Sequence, residues 1–260
     1  MSEFWADYRG LFDAALYHTD GDTYAAVLAP WAAANPGARD WLRDFAARPG
    51  DPVPPASPED LWQLYALGRA LDIITPDPQG LSAAEFVAFA ESPGLTTTPA
   101  RPFSPFYHEI VTVEQDPDPA TPPAVTGAVW PGVSLGDMTI LRAGVRIAAG
   151  ADHVVKDVAE SSTMYWAWVR GTRPARDLSH GWGSNSQWRT DFRRDYRFGD
   201  ALHYNVDDKF DLLAADLPAD ESHGLTRAER VELLTHRCFV TTRRPADEEL
   251  WPYDDRFRDG

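Results

Sequence analysis

Nine of the chain's 22 prolines fall between residues 92 and 131, at positions 93, 99, 102, 105, 117, 119, 122, 123 and 131. Proline removes a backbone donor and clashes with the preceding helical turn, so no helix runs through this stretch and any strand is confined to its proline-free pieces. The 260-residue chain is thereby divided into a part before and a part after, and the two differ in texture.

Before the prolines the apolar residues recur at helical spacing. Phe4, Tyr8, Leu11 and Ala15, flanked by Trp5, Phe12 and Leu16, mark one apolar face. A second segment, Thr23 to Ala34, is expected to kink at Pro30 and to stop at Asn35-Pro36-Gly37. A third carries Trp41, Leu42 and Phe45 and ends at Pro49-Gly50. Ser57-Pro58-Glu59-Asp60 has the form of an N-cap with proline in the first helical turn, ahead of the stripe Leu61, Leu64, Tyr65 and Leu71. Gly68 stands where that stripe needs a large residue. Ser82 with Glu85 is a capping box opening a short helix through Phe86 and Phe89.

After the prolines the pattern turns to strands. Tyr107 to Glu114 is a proline-free β segment, followed by an exposed loop over 115–124. Met138 to Ile147 alternates weakly, and Thr163 to Arg170 is aromatic and strand-like. From Trp188 to Phe198 a period of two puts Arg189, Asp191, Arg193, Asp195 and Arg197 on one face and mainly aromatics on the other. Gly199-Asp200 suits a tight turn, returning through Ala201 to Asp207. Thr226 with Glu229 caps another helix, and Cys238 to Val240 is read as a last strand. The expected fold class is therefore α+β: a helical N-terminal unit over 1–92, a Pro-rich linker over 93–104, and a mainly antiparallel β-rich unit over 105–260 with one or two helices.

Composition narrows the function. With 24 Lys plus Arg against 40 Asp plus Glu, the formal charge of −16 disfavours nucleic acid and anionic lipid as partners. No apolar run approaches the ~20 residues that span a bilayer, and the acidic, aromatic start is unlike a secretory leader. The single cysteine, Cys238, makes no internal disulfide and no multi-thiolate metal site, which fits a reduced, cytoplasmic setting. No phosphate-loop, nucleophile-elbow or zinc-protease motif occurs, and neither a cofactor nor a metal is expected.

The richest polar stretch is Ser179 to Gln187 (SHGWGSNSQ). Its glycines let backbone amides approach a ligand, and His180, Ser184, Asn185, Ser186 and Gln187 offer donors and acceptors around Trp182. His203 and Asn205 lie on the adjoining strand and complete the candidate binding set. The Arg/Asp ladder of 189–197 is expected to compensate itself in solvent, where exposed pairs contribute only ~0–1 kcal/mol. Acidic patches at Asp207-Asp208-Asp211, Asp216-Asp220-Glu221 and Asp247-Glu248-Glu249 have the chemistry of a docking face for a cationic partner.

Two functions from different classes follow. One is an acidic cytoplasmic binding protein that neutralises a cationic protein, as an immunity protein neutralises a toxin, with Trp and Tyr as anchors. The other is a small-molecule hydrolase or transferase with a pocket between the C-terminal sheet and loop 179–187.

Overall fold

The computed structural model describes residues 3–19, 21–50, 53–75, 81–177, 192–245, 250 and 252–260. The fold class is α+β. In chain order, α1 (Glu3–Leu16), a π-helical turn (Tyr24–Leu28), α2 (Ala29–Ala34), α3 (Pro36–Ala46), α4 (Pro58–Ile74) and α5 (Ala83–Glu91) come first. Strands follow: β1 (Thr96–Thr97), β2 (His108–Gln115), β3 (Ala124–Trp130), β4 (Val133–Leu135), β5 (Met138–Leu141) and β6 (Ala143–Ala149). The rest comprises α6 (Lys156–Ser161), β7 (Met164–Tyr165), β8 (Ala175–Arg176), β9 (Asp195–Phe198), β10 (Ala201–Tyr204), β11 (Phe210–Asp211), α7 (Arg227–His236) and β12 (Asp255–Asp259).

The contacts divide the chain into two compact units that are not contiguous in sequence. The first gathers the described residues of Met1–Pro99 and Trp130–Leu141, together with Phe192. The second gathers those of Ala100–Val129, Arg142–Leu178 and Arg193–Gly260.

In the first unit the helical stripes meet in one core. Tyr8, Leu11 and Phe12 of α1, Leu42 and Phe45 of α3, Leu64, Leu67 and Leu71 of α4, and Phe86 and Phe89 of α5 are all buried. Pro30, the second residue of α2, stands two residues past the π-helical turn, as expected where a missing N–H and a bulky ring widen the preceding turn. Asn35-Pro36-Gly37 does not halt the chain in a loop: Asn35 alone leaves helical geometry, and Pro36 opens α3 at the position where its absent N–H costs nothing. Ser57 and Ser82 form the capping boxes expected of them, with Asp60 and Glu85 returning the bond. Gly68 is explained by a neighbour: a Cβ there would stand 3.1 Å from the Phe192 ring, which fills the gap in the α4 stripe. Strands β1, β4 and β5 form an antiparallel ribbon in this unit.

In the second unit β2 lies parallel to β6, with β3 on the other side of β6. Ile110, Val113, Val145 and Ile147 bury their side chains with Val154, Met164, Cys238 and Val240. The β2 edge is covered by α6, whose Lys156 Nζ donates to the Val113 carbonyl (2.7 Å) while Glu160 Oε1 accepts from the Val113 N–H (2.8 Å). A second sheet pairs β9, β10 and β12 antiparallel, with β11 parallel to β12. The 195–204 hairpin turns at Gly199-Asp200 as expected, with Gly199 at φ +58°.

Three strand expectations are corrected. Met164–Tyr165 alone of the Thr163–Arg170 segment is a strand, because the chain turns at Trp166, which holds φ +54°. Cys238 to Val240 is irregular, following the left-handed Arg237 that ends α7, and β12 is the last strand. Of the Trp188–Phe198 ladder, residues 188–191 lie outside the described residues, and pairing begins only at Asp195.

Gly150 shows how tightly the 116–121 loop seats. Its N–H donates to the Thr121 carbonyl (2.8 Å), and a Cβ there would overlap the carbonyl oxygens of Asp118 and Pro119. Gly150→Ala must therefore displace backbone rather than a side-chain end, and is expected to lower stability by about 1–3 kcal/mol. Equilibrium urea unfolding against Gly171→Ala, where a Cβ meets nothing within 4 Å, would expose an error if the two midpoints matched.

Candidate functional site

Two places in the second unit combine charge, burial and geometry in ways that ordinary packing does not require. The first is interior. Asp195, the first residue of β9, is fully buried and bonded by three guanidinium groups: Arg193 Nε on Oδ1 (2.8 Å), Arg142 Nη2 on Oδ2 (3.2 Å) and Arg237 Nη2 on Oδ2 (3.1 Å). The Asn205 backbone N–H adds a fourth bond to Oδ1 at 2.9 Å.

Chain geometry explains the convergence. Arg142 immediately precedes β6, Arg193 precedes β9, and Arg237 caps the C-terminus of α7. The last carbonyls of a helix lack intrahelical partners and carry its negative dipole end. Arg142 Nη1 and Arg193 Nη2 satisfy two of them, donating to Thr235 and Leu234 at 2.7 Å each. Charged residues in this interior thus do a capping task for α7.

The electrostatics follow. Burial alone would raise the Asp195 carboxyl, but Arg193, Arg237 and Arg142 overcome it and hold the group well below its ordinary range. Burial pushes Arg142 down to about 9 and Arg193 to about 10, so both remain cationic at neutral pH. His236 is pushed to about 4 by burial and by Arg142 and is therefore neutral, while burial lowers His108 as well. Phe103 lies between these two imidazoles, stacked at 5.8 Å on His108 and 6.3 Å on His236. Burial likewise raises the Tyr204 hydroxyl above its ordinary value.

The second place is open. A concavity of about 620 Å³ is lined by residues that include Phe210, Asp220, Glu221, His223, Asp254 and Asp255. Its one guanidinium, Arg230, is committed to a two-point pair with Asp255 and to the Pro218 carbonyl (2.8 Å). Asp220 opposes its own partial burial by accepting N–H bonds from His223, Leu225 and Ser222, which hold its carboxyl below the usual range. His223 Nδ1 stands 3.3 Å from Asp220 Oδ1. Phe210 and Leu213 are exposed large hydrophobics, 37% and 57% accessible, beside the acids of the 207–221 stretch.

Of the residues singled out in sequence, His180, Trp182, Ser184, Asn185, Ser186 and Gln187 lie outside the described residues. Asn205 is at the Asp195 cluster, where its side chain also donates to the Asp255 carbonyl (2.9 Å). His203 is not: it stands half-buried on the hairpin, edge-on to Phe198 at 5.1 Å. The expectation that the Arg/Asp ladder compensates itself in solvent is corrected, because Arg193 and Asp195 are 4% and 0% exposed. Arg142, Arg237 and Trp166, missed as partners of that ladder, carry no local signal for it; their meeting is set by the terminus of α7. Among the described residues, no three His, Cys, Asp or Glu side chains are grouped to hold a metal ion. No described helix is long and apolar enough to cross a membrane. Compared with known proteins, the chain matches no family model, no curated protein and no solved structure.

Proposed function

We propose that this chain is an acidic binding protein that captures a cationic protein through the open concavity of its second unit. The observation that carries this reading is the concavity itself: four carboxylates line it, and with Asp255 paired to Arg230 and Asp254 to Lys209 (3.0 Å), Asp220 and Glu221 remain beyond the lysine and arginine pairs. Glu221 has no bonding partner among the described residues, and Asp220 is held ionised by amides and a histidine. The Glu221 charge faces solvent, where it attracts a basic side chain without first breaking an ion pair. Phe210 and Leu213 supply apolar contact at the same region, and the net charge of −16 steers encounter from a distance. A cytoplasmic immunity role, with a basic toxin as the partner, is the form of this function we favour.

Arginine-rich and glutamate-rich peptides of equal length, titrated on the immobilised chain, test it. The arginine peptide should bind, and raising salt should slow its association more than its dissociation. The pair Asp220→Asn and Glu221→Gln should weaken binding about fivefold, as two partly exposed charge contacts imply. Equal affinity for both peptides, or no change in the double variant, rejects the reading.

One observation favours a second function. The Asp220–His223 pair on the concavity wall leaves the other imidazole nitrogen to act as a base toward a small substrate, as a hydrolase or transferase requires. Turnover abolished by His223→Ala, with arginine-peptide affinity intact, would select it.

A further inference from the structure

Left-handed backbone is uncommon for residues other than glycine and is strained for bulky ones. Among the described residues it occurs at three such positions: Trp166 (φ +54°), Asn205 (φ +53°) and Arg237 (φ +62°). All three serve one spot. The Trp166 ring lies under the Arg193 guanidinium at 4.3 Å, the Asn205 N–H bonds Asp195, and Arg237 is itself an Asp195 partner. Strain of this kind persists where surrounding structure enforces it, and it gathers at ligand clamps and active sites.

The same spot holds unspent donors. Among the described residues, Arg193 Nη1, Arg237 Nε and the Tyr204 hydroxyl are buried without any hydrogen-bond partner. Arg193 and Tyr204 are 4% and 1% exposed, so water does not freely supply what the protein withholds. Arg193 and Arg237 share one acidic partner, Asp195, so a guanidinium charge is left over beside the idle donors. Neutral His236 and His108 add no charge of their own, and Glu109, the other carboxylate that acts on Arg237, is itself committed to a two-point pair with Arg170. A buried cation with idle N–H groups is stabilised most by an anion that offers several oxygens at once.

We infer that Arg193, Arg237 and Tyr204 form a binding site for a small oxyanion, a phosphate or carboxylate group, seated beside Asp195. The Arg237 side chain, 13% exposed, is the accessible member and marks the side from which the group enters. Asp195 then acts as the fixed spacer that holds both guanidinium forks, and the left-handed backbone at Trp166, Asn205 and Arg237 keeps those groups in place while the site is empty. The site does not depend on the acidic concavity, so the two can fail separately.

Thermal unfolding of the full chain in inorganic phosphate, in acetate and in chloride, at matched ionic strength and pH, tests this. At a hundredfold excess over its dissociation constant, an anion that binds only the folded chain should raise Tm by about 5 °C. A rise with phosphate assigns the site to phosphoryl ligands, and a rise with acetate assigns it to carboxylates. Tyr204→Phe removes one idle donor and no bond to any described residue, so it should fold normally and at least halve the anion-induced shift. Arg237→Lys, which keeps the charge but loses the fork, should do the same, while Asp220→Asn should leave the shift intact. Equal shifts in chloride, no shift with either oxyanion, or an undiminished response in Tyr204→Phe overturns the inference.

Discussion

Replacing Asp195 by Asn should lower Tm by about 10 °C, the largest single-site loss expected in the second unit. The carboxylate is wholly buried and accepts from Arg142, Arg193, Arg237 and the Asn205 amide. Asn keeps the shape and one accepting oxygen but removes the charge, leaving buried guanidinium groups without the anion that joins them. Breaking a buried pair in this way costs about 3–5 kcal/mol, and each kilocalorie moves Tm by roughly 2–4 °C in a chain of this size. The sign of the pH dependence is fixed by the depressed folded pKa. The contribution is complete above the unfolded carboxyl's value, about 4, and is withdrawn as pH falls from there toward the folded value. The gap between wild type and variant should thus be constant from pH 5 to 8 and close below 4. His236 and His108, whose folded values are lowered, act in a separate window. Their stabilisation is lost as pH falls from about 6.5 and should affect both proteins alike. A calorimetric Tm within about 2 °C of wild type at pH 7 would show that Asp195 does not anchor the cluster.

How much of this was legible beforehand depended on range. Ser57, Ser82 and Thr226 each cap a helix through a partner three residues on, so four letters of sequence contain the whole interaction. The β9–β10 hairpin is equally local, its register following from the Gly199-Asp200 turn. The alternation through 193–197 was also readable, but alternation says which residues share a face and not which face is covered. Both faces of β9 are covered at Asp195 and Tyr196. What admits charge there is the end of α7, forty residues onward, whose carbonyls take the Arg142 and Arg193 donors. The aromatic segment at 163–170 failed as a strand for a related reason. Its composition favours β structure, yet Trp166 is turned into the left-handed region where its ring meets Arg193. The acids of the open concavity are legible only in part: Asp220 and Glu221 stand together in one acidic patch of the sequence, whereas the Arg230–Asp255 pair in its wall joins residues from α7 and β12. Asn205, which the sequence places on the strand adjoining loop 179–187, bridges Asp195 and Asp255, a role its neighbours in sequence do not announce.

Helix α7 is the element on which both sites depend, since it supplies Arg230 to the concavity and ends in Arg237 at the interior cluster. What holds the chain as it leaves that helix is Glu232. Its Oε1 accepts the N–H groups of Val240 (2.6 Å), Thr241 and Thr242 (3.2 Å), and its Oε2 accepts the Thr242 hydroxyl (2.6 Å). Burial disfavours the ionised form, but these bonds prevail and hold the carboxyl below its usual range, so the tie is fully present at neutral pH and lost only as pH falls below about 4. Glu232→Ala frees three N–H groups at once and should cost about 2–3 kcal/mol, the worth of hydrogen bonds to a charged group. The loss should be local, because Val155 N–H on the Val240 carbonyl and the Ser162 hydroxyl on the Phe239 carbonyl still attach the segment to α6. Cys238, the chain's single cysteine and only 2% exposed, reports the opening. Maleimide labelling of the native protein at pH 7.5 should accelerate roughly fiftyfold in Glu232→Ala, the factor that 2–3 kcal/mol of easier opening implies. Glu232→Gln, which keeps one accepting oxygen, should fall between. An unchanged labelling rate in Glu232→Ala would mean that Phe239 and Val240 hold the segment by apolar contact alone, and that the carboxylate merely caps what packing has already fixed.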